Sequence, residues 1–177
     1  MLRDKDAPSL KPKGVLVVGL MSILCAACFP ANPLVLTGVV EVESHQALFA
    51  VGWVVWAIGM VLVLAPIVAF PQRGGVPKGK SFANTTRLVD TGIYAIVRHP
   101  QYVGGILSIF VTTSLWYPHW LFWSLGAAGT AVVYVGCIDE DRRMVKKFGD
   151  DYAAYMKKVP RVNLVLGLVR LMRRQRN

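Results

Sequence analysis

The stretch ALFAVGWVVWAIGMVLVLAPIVAF, residues 47–70, runs for more than 20 positions without a charged side chain. As a helix rising about 1.5 Å per residue, it is long enough to cross the ~30 Å hydrocarbon core of a bilayer. Its reading decides the fold class. Towards the N-terminus, a second apolar run covers about residues 14–29 and can extend to Leu36, with Pro30 and Pro33 bending its far end. No soluble mature domain follows Phe29-Pro30-Ala31, so this run is expected to be a retained helix rather than a cleaved signal. Towards the C-terminus come two further runs, from about Tyr102 to Leu115 and from about Trp120 to Ile138. The turn Tyr117-Pro118-His119 joins them as a helical hairpin, and Trp116, Tyr117, Trp120 and Trp123 crowd it as aromatics crowd a membrane interface. The expectation is an all-α, multi-pass membrane protein with about four spans.

Charge agrees with that count. The sequence carries 20 Lys and Arg against 10 Asp and Glu. With four spans, every basic residue falls on one side: in the N-terminal tail, in the loop 71–100 and after Ile138. The positive-inside rule makes that side the cytoplasm and places both termini there. The net charge of +10 then suits an anionic membrane surface and not nucleic acid. Cys25, Cys28 and Cys137 all lie in apolar runs and read as small residues of membrane helices. No second ligand pair accompanies Cys25 and Cys28, so no metal site is expected.

The chain divides into two N-terminal spans (1–70), a core (71–161) and a basic tail (162–177). Within the core, Gly74, Gly75, Pro77 and Gly79 suggest a flexible start, and Thr85 to Tyr102 reads as a folded lead into the third span. A helix is expected over about Asp139 to Phe148, with Gly149 as its C-cap, Asp150 as the next N-cap, and a further helix to Lys158 that Pro160 ends. Residues 162–172 are apolar but short, and Arg170, Arg173, Arg174 and Arg176 accompany them. They suit an interfacial helix better than a fifth span.

Two features could carry chemistry. Glu140, Met144 and Phe148 follow each other at i, i+4 and i+8, which puts a carboxylate on the inward face of a helix. A dipole-favoured carboxylate at a helix start is the plainer reading, and Asp139 and Asp141 share it. In Arg98-His99-Pro100, the proline can open the third span and hold Arg98 and His99 at its mouth. A snorkelling Arg beside an interfacial His is the alternative. Gly104 and Gly105 permit close helix packing or close approach of a ligand, whereas Gly126 and Gly129 suit helix packing. His45 and His119 fall on the opposite side. No dinucleotide fingerprint, P-loop or HExxH is present.

Taken together, Gly92, Tyr94, Val97, Arg98, His99, Pro100, Tyr102 and Gly104 form one block. Glu140, Asp141, Met144, Phe148, Gly149, Tyr152, Tyr155, Val159, Pro160 and Arg161 form another. The two blocks, in this order and separated by a hairpin, resemble the isoprenylcysteine carboxyl methyltransferase family and its relatives the phospholipid N-methyltransferases. The resemblance covers about residues 85–161. It implies methyl transfer from S-adenosylmethionine to a lipophilic or amphipathic acceptor drawn from the bilayer, in a pocket that the C-terminal helices cap. It further implies that Thr86, Arg87, Leu88 and Val89 line the cofactor pocket and that Tyr94, His99, Pro100, Gln101 and Tyr102 form its wall. Glu140 would hold the cofactor's ammonium, with Asp141 where many members carry a second Glu. Arg98, His99 and Glu140 become the catalytic candidates, and Tyr94 and Tyr102 would face the sulfonium. One departure stands out. The carboxyl methyltransferases carry an Arg one helical turn before the carboxylate, and here that position is Gly136. Arg98, Arg142 and Arg143 are the candidates to replace it. The acceptor is thereby left open between a carboxylate, a lipid amine and a thiol. The rival functions are a membrane reductase of the related sterol-reductase type and a non-catalytic protein that keeps the scaffold.

Overall fold

A computed structural model of the chain describes residues 33–43, 45–75 and 85–176. The expected first span, Cys25 and Cys28 lie outside the described residues. A single helical turn, α1 (Pro33–Leu36), precedes the first long helix, α2 (Gln46–Arg73). A 3-10 turn (Gly92–Ala95) leads to α3 (Pro100–Gly105), which continues through a π-helical turn (Ile106–Val111) into α4 (Thr112–Trp116). Helices α5 (Trp120–Phe148), α6 (Asp150–Lys158) and α7 (Leu164–Arg176) complete the chain. All the regular structure among the described residues is helical.

Two of these helices, α2 and α5, are long and apolar enough to cross a membrane. The 28 residues of α2 exceed the charge-free stretch at both ends. Val51, Val54, Ile58, Val61, Ile67 and Val68 stand exposed along it, as a lipid-facing surface requires. Between α2 and α5 runs the rod 100–116. It packs on α2 through a glycine pair, for a Cβ on Gly104 would come within 2.5 Å of the Gly59 carbonyl oxygen. The rod meets α5 where the ring of Phe110 fills the space above Gly129. The expected third span is therefore helical, though it contains a π turn. There the Thr112 backbone N–H reaches the Leu107 carbonyl, one residue further back than in an α-helix, and the Thr112 hydroxyl donates to the same oxygen at 2.9 Å.

Three expectations need correction. The segment 139–148 is not a separate helix. It continues α5 without a break, because nothing between Ile138 and Phe148 interrupts helical geometry. The carboxylates 139–141 consequently sit in the later part of a long helix, where its dipole does not favour them. Asp150 does not cap α6 with its side chain. Gly149 takes that position at φ 59, a left-handed turn open to glycine. Trp116, expected at the interface with the other aromatics, is buried against α2, and its indole N–H donates to the Phe49 carbonyl at 3.2 Å. Trp120 and Trp123 are exposed as expected.

The C-terminal segment is tied back to the bundle. Arg98 N–H donates to the Pro160 carbonyl at 3.0 Å and His99 N–H to the Arg161 carbonyl at 3.2 Å. Gly167 brings α7 against the Ile96 carbonyl so closely that a Cβ would lie 1.9 Å from the oxygen. Val162 and Leu164 pack on the cluster of Leu62, Val97 and Val103. Helix α7 thus docks at one end of the bundle, with Arg173, Arg174 and Arg176 in its last turn.

Candidate active site

The end of the bundle where α2 stops, α3 starts and α5 emerges holds a cleft of about 250 Å³. Three structural devices shape it. Phe70 at the end of α2 stacks on Tyr94, with ring centroids 5.3 Å apart. Tyr155 of α6 donates its hydroxyl to the Tyr94 carbonyl at 2.6 Å, which fixes the 3-10 turn against the C-terminal helices. The Gly74 carbonyl accepts from the backbone N–H groups of Thr86 and Arg87, folding the segment after residue 85 back onto α2.

Most residues singled out from sequence meet in this cleft. Arg87, Leu88, Val89 and Tyr94 line one side, and Arg98, His99, Pro100, Gln101 and Tyr102 line another. Glu140 lines it from α5, and Met144 and Phe148 from the same helix face. Two residues do not line it. Thr86 turns away and donates its hydroxyl to the Gly75 carbonyl at 2.7 Å. Asp141 lies behind the wall, 3% exposed. Sequence reasoning missed Phe70, Thr85 and Lys147, which line the cleft. Tyr152 and Tyr155, members of the second block that carries the resemblance, line it as well. The i, i+4, i+8 pattern that found Glu140 also reaches Met144 and Phe148. No comparable signal marks Phe70, at the end of an apolar helix.

The buried carboxylate is Asp141 and not Glu140. Its Oδ1 lies 2.8 Å from His99 Nε2 and accepts the Tyr152 hydroxyl at 2.7 Å. Its Oδ2 accepts Arg161 Nε at 2.7 Å and lies 3.1 Å from Arg98 Nη1. Asp141 stands beyond the apolar part of α5, which ends at Ile138. Burial alone would raise its pKa, but the hydrogen bonds from His99, Tyr152 and Arg161 hold the carboxyl well below the usual carboxylate range. Burial and the bond to Asp141 push the Tyr152 phenol above the usual tyrosine range, so it stays a donor. Glu140 is partly exposed and pairs with Arg143 one turn on.

Two guanidiniums, Arg98 and Arg161, thus share one carboxylate, which leaves positive charge in excess. Arg98 is buried against the cleft; its Nη1 lies 3.1 Å from Asp141 Oδ2 as an ion pair, and its Nε has no hydrogen-bond acceptor among the described residues. A buried unpaired donor calls for a partner, and an anionic group in the cleft would supply one. The carboxylate of Glu140 offers the opposite charge. Phe70, Tyr94, Leu88 and Phe148 offer apolar and aromatic surface. A zwitterion bearing an aromatic ring fits this set, and S-adenosylmethionine is such a molecule.

Of the three arginines weighed as replacements at Gly136, Arg142 and Arg143 are exposed and paired with Asp139 and Glu140, and only Arg98 reaches the cleft. A second cavity, of about 260 Å³, lies between the rod and α5, lined by Gln101, Tyr102, Gly105, Ile109, Phe110 and Val133. It shares Gln101 and Tyr102 with the cleft.

The sequence profile described as phospholipid methyltransferase matches residues 47–151. Among curated proteins, the methanethiol S-methyltransferase of Pseudomonas deceptionensis is 27% identical over 130 residues, which is 67% of this chain and 47% of that protein. Methanethiol S-methyltransferase 2 of Bradyrhizobium diazoefficiens is 34% identical over 93 residues, 52% of this chain and 32% of that protein. The match thus spans less than half the length of these relatives. No solved structure matches.

Proposed function

The chain belongs to the phospholipid methyltransferase family, and from that premise we propose that it is a membrane methyltransferase that moves a methyl group from S-adenosylmethionine to a small thiol. The observation that carries the cofactor reading is the placement of Arg98, ion-paired on one side with Asp141, and of Glu140 in one aromatic-walled cleft. In this reading Arg98 holds the cofactor's carboxylate and Glu140 its ammonium. Tyr94 and Tyr102 present ring surface to a cation. Arg87, Leu88, Val89, Pro100 and Gln101 complete the walls. The cofactor supplies an activated methyl on a sulfonium. The chain's own work is to orient the two reactants and to keep water away.

The choice of acceptor rests on two supports. The relatives named above act on methanethiol, and the position that would hold a prenylcysteine carboxylate is Gly136. The cavity beneath Tyr102 is apolar and opens beside the cleft, which suits a small lipophilic acceptor arriving from the bilayer. By the positive-inside rule, the cleft faces the cytoplasm, where the cofactor is made.

The test is binding followed by transfer. Purified full-length protein in detergent is expected to bind S-adenosylhomocysteine, and Glu140→Ala to weaken that binding about tenfold. Radiolabelled methyl should pass to methanethiol and not to phosphatidylethanolamine or a prenylcysteine. Failure of the wild type to bind S-adenosylhomocysteine overturns the methyltransferase reading, and a preference for NADPH would favour the reductase. Label in the phospholipid alone overturns the thiol.

A further inference from the structure

We propose that His99 is the base that takes the proton from the acceptor thiol, and that Asp141 positions it for that task. The proposal rests on the thiol methyltransferase reading above. It starts from the tautomer. Asp141 is ionised and surrounded by Arg98, Arg161 and Tyr152, so it can only accept a hydrogen bond. The hydrogen in the 2.8 Å contact therefore belongs to His99 Nε2. In a neutral imidazole this leaves the lone pair on Nδ1. The side-chain hydrogen bond that His99 makes to Asp141 runs through Nε2 and leaves Nδ1 outside it.

The ring is held as well as tautomerised. His99 N–H donates to the Arg161 carbonyl, its own carbonyl accepts from Val103 N–H at 3.2 Å, and Pro100 restricts its backbone. Tyr102 meets the imidazole edge-on at 5.5 Å. The imidazole thus lines the cofactor cleft beside Tyr102, a residue the cleft shares with the cavity assigned to the acceptor. A His held by a buried Asp and presenting its other nitrogen to a reacting group is the arrangement by which hydrolases activate a hydroxyl.

The chemistry needs such a group. A thiol is a weak nucleophile and its thiolate a strong one, and an alkanethiol is largely protonated at neutral pH. In the step proposed, the acceptor's S–H bond breaks and an N–H bond forms at His99 Nδ1. The sulfur pair freed in this way forms the new bond to the methyl carbon as the bond from carbon to the sulfonium breaks. The products are a thioether and S-adenosylhomocysteine, and His99 passes its proton to water. The groups facing His99 are Arg98 on its own segment, Asp141 and Glu140 from α5, Tyr152 from α6, Arg161 beyond it, and Tyr102 from α3.

The experiment compares thiols of different acidity. General bases typically contribute about 100-fold to 10,000-fold. Because His99 lines the cofactor cleft, His99→Gln is assayed at saturating S-adenosylmethionine, so that any weakening of cofactor binding is common to both thiols. It should lose about 100-fold or more in kcat/KM with ethanethiol, and at most about tenfold with thiophenol, which is already ionised at neutral pH. Asp141→Asn should show the same bias more weakly. In the wild type, the ethanethiol rate should level off at a pH below that thiol's own ionisation. The thiolate absorbance of thiophenol bound beside S-adenosylhomocysteine should appear at lower pH than in free solution, and this shift should vanish in His99→Gln. Equal losses with both thiols, or a rate that follows the free thiolate fraction up to the thiol's own ionisation, would overturn the base. Should His99→Gln fail to bind S-adenosylhomocysteine, the wild-type profile and the absorbance shift decide alone. If the wild type methylates no thiol, it is the underlying reading that fails.

Discussion

Asp141 and Glu140 are adjacent residues with different fates, and the difference is tertiary. Spacing along a helix locates a face and says nothing about depth. Glu140 reaches the cleft and stays partly wet, whereas Asp141, one residue on, is covered by Tyr152 and Arg161 arriving from beyond the Gly149 turn. The Arg98-His99 pair was legible because proline and a membrane helix start fix its place. Its partner was not, because a sequence shows no contact across 42 positions. The network makes Asp141 the residue whose loss is most damaging. Asp141→Ala leaves the buried Arg98 without its counter-charge, a change worth about 3–5 kcal/mol, read as a fall in thermal unfolding temperature in detergent. The pH dependence has a definite sign. The folded carboxyl is held below its unfolded value of 3.8, so its contribution is complete above about pH 5 and is lost as pH falls through the folded value. The difference in stability between wild type and Asp141→Asn should therefore shrink as pH falls below about pH 4, and a difference that instead grows there contradicts this assignment.

At the scale of elements, the apolar runs were legible because lipid demands length and hydrophobicity at once. The π turn and the unbroken passage of α5 into the polar region were not, since both depend on how α5 and the rod pack. The contacts at the glycines separate packing from open space. Gly104 faces the Gly59 carbonyl and the backbone of Val63, and Gly167 faces the Ile96 carbonyl, all closer than a Cβ allows. Gly104→Ala and Gly167→Ala should each lower the unfolding temperature, the first by separating α2 from the rod and the second by lifting α7 off the bundle. Gly105 has nothing within 4 Å, and a Cβ on Gly136 would meet Tyr102 at an ordinary 4.0 Å. Gly105→Ala and Gly136→Ala should unfold like wild type. The second control carries further meaning: position 136 has room for a side chain, so no crowding there requires the glycine.

At the scale of the whole molecule, charge and site coincide. The start of α2 and the turn 117–119 form one end of the bundle, where Trp116 meets Phe49, and no Lys or Arg lies in that turn. The cleft, the ends of α2 and α5, and the arginines of α7 form the other. An orientation set by basic residues would then place the cofactor site on the cytoplasmic side by the same charges that fix the helices. This is open to a direct measurement. Trp120 is exposed at one end, and Lys157 lies exposed in α6 at the other. In a background with Cys25, Cys28 and Cys137 replaced by Ser, Trp120→Cys should react with a membrane-impermeant maleimide in intact cells. Lys157→Cys should react only in inverted vesicles or after permeabilisation. The reverse pattern would put the cleft outside, away from the cytoplasmic cofactor supply, and would contradict the orientation on which the acceptor route is built. Labelling of both positions in intact cells would mean that the two ends do not lie across a bilayer from one another.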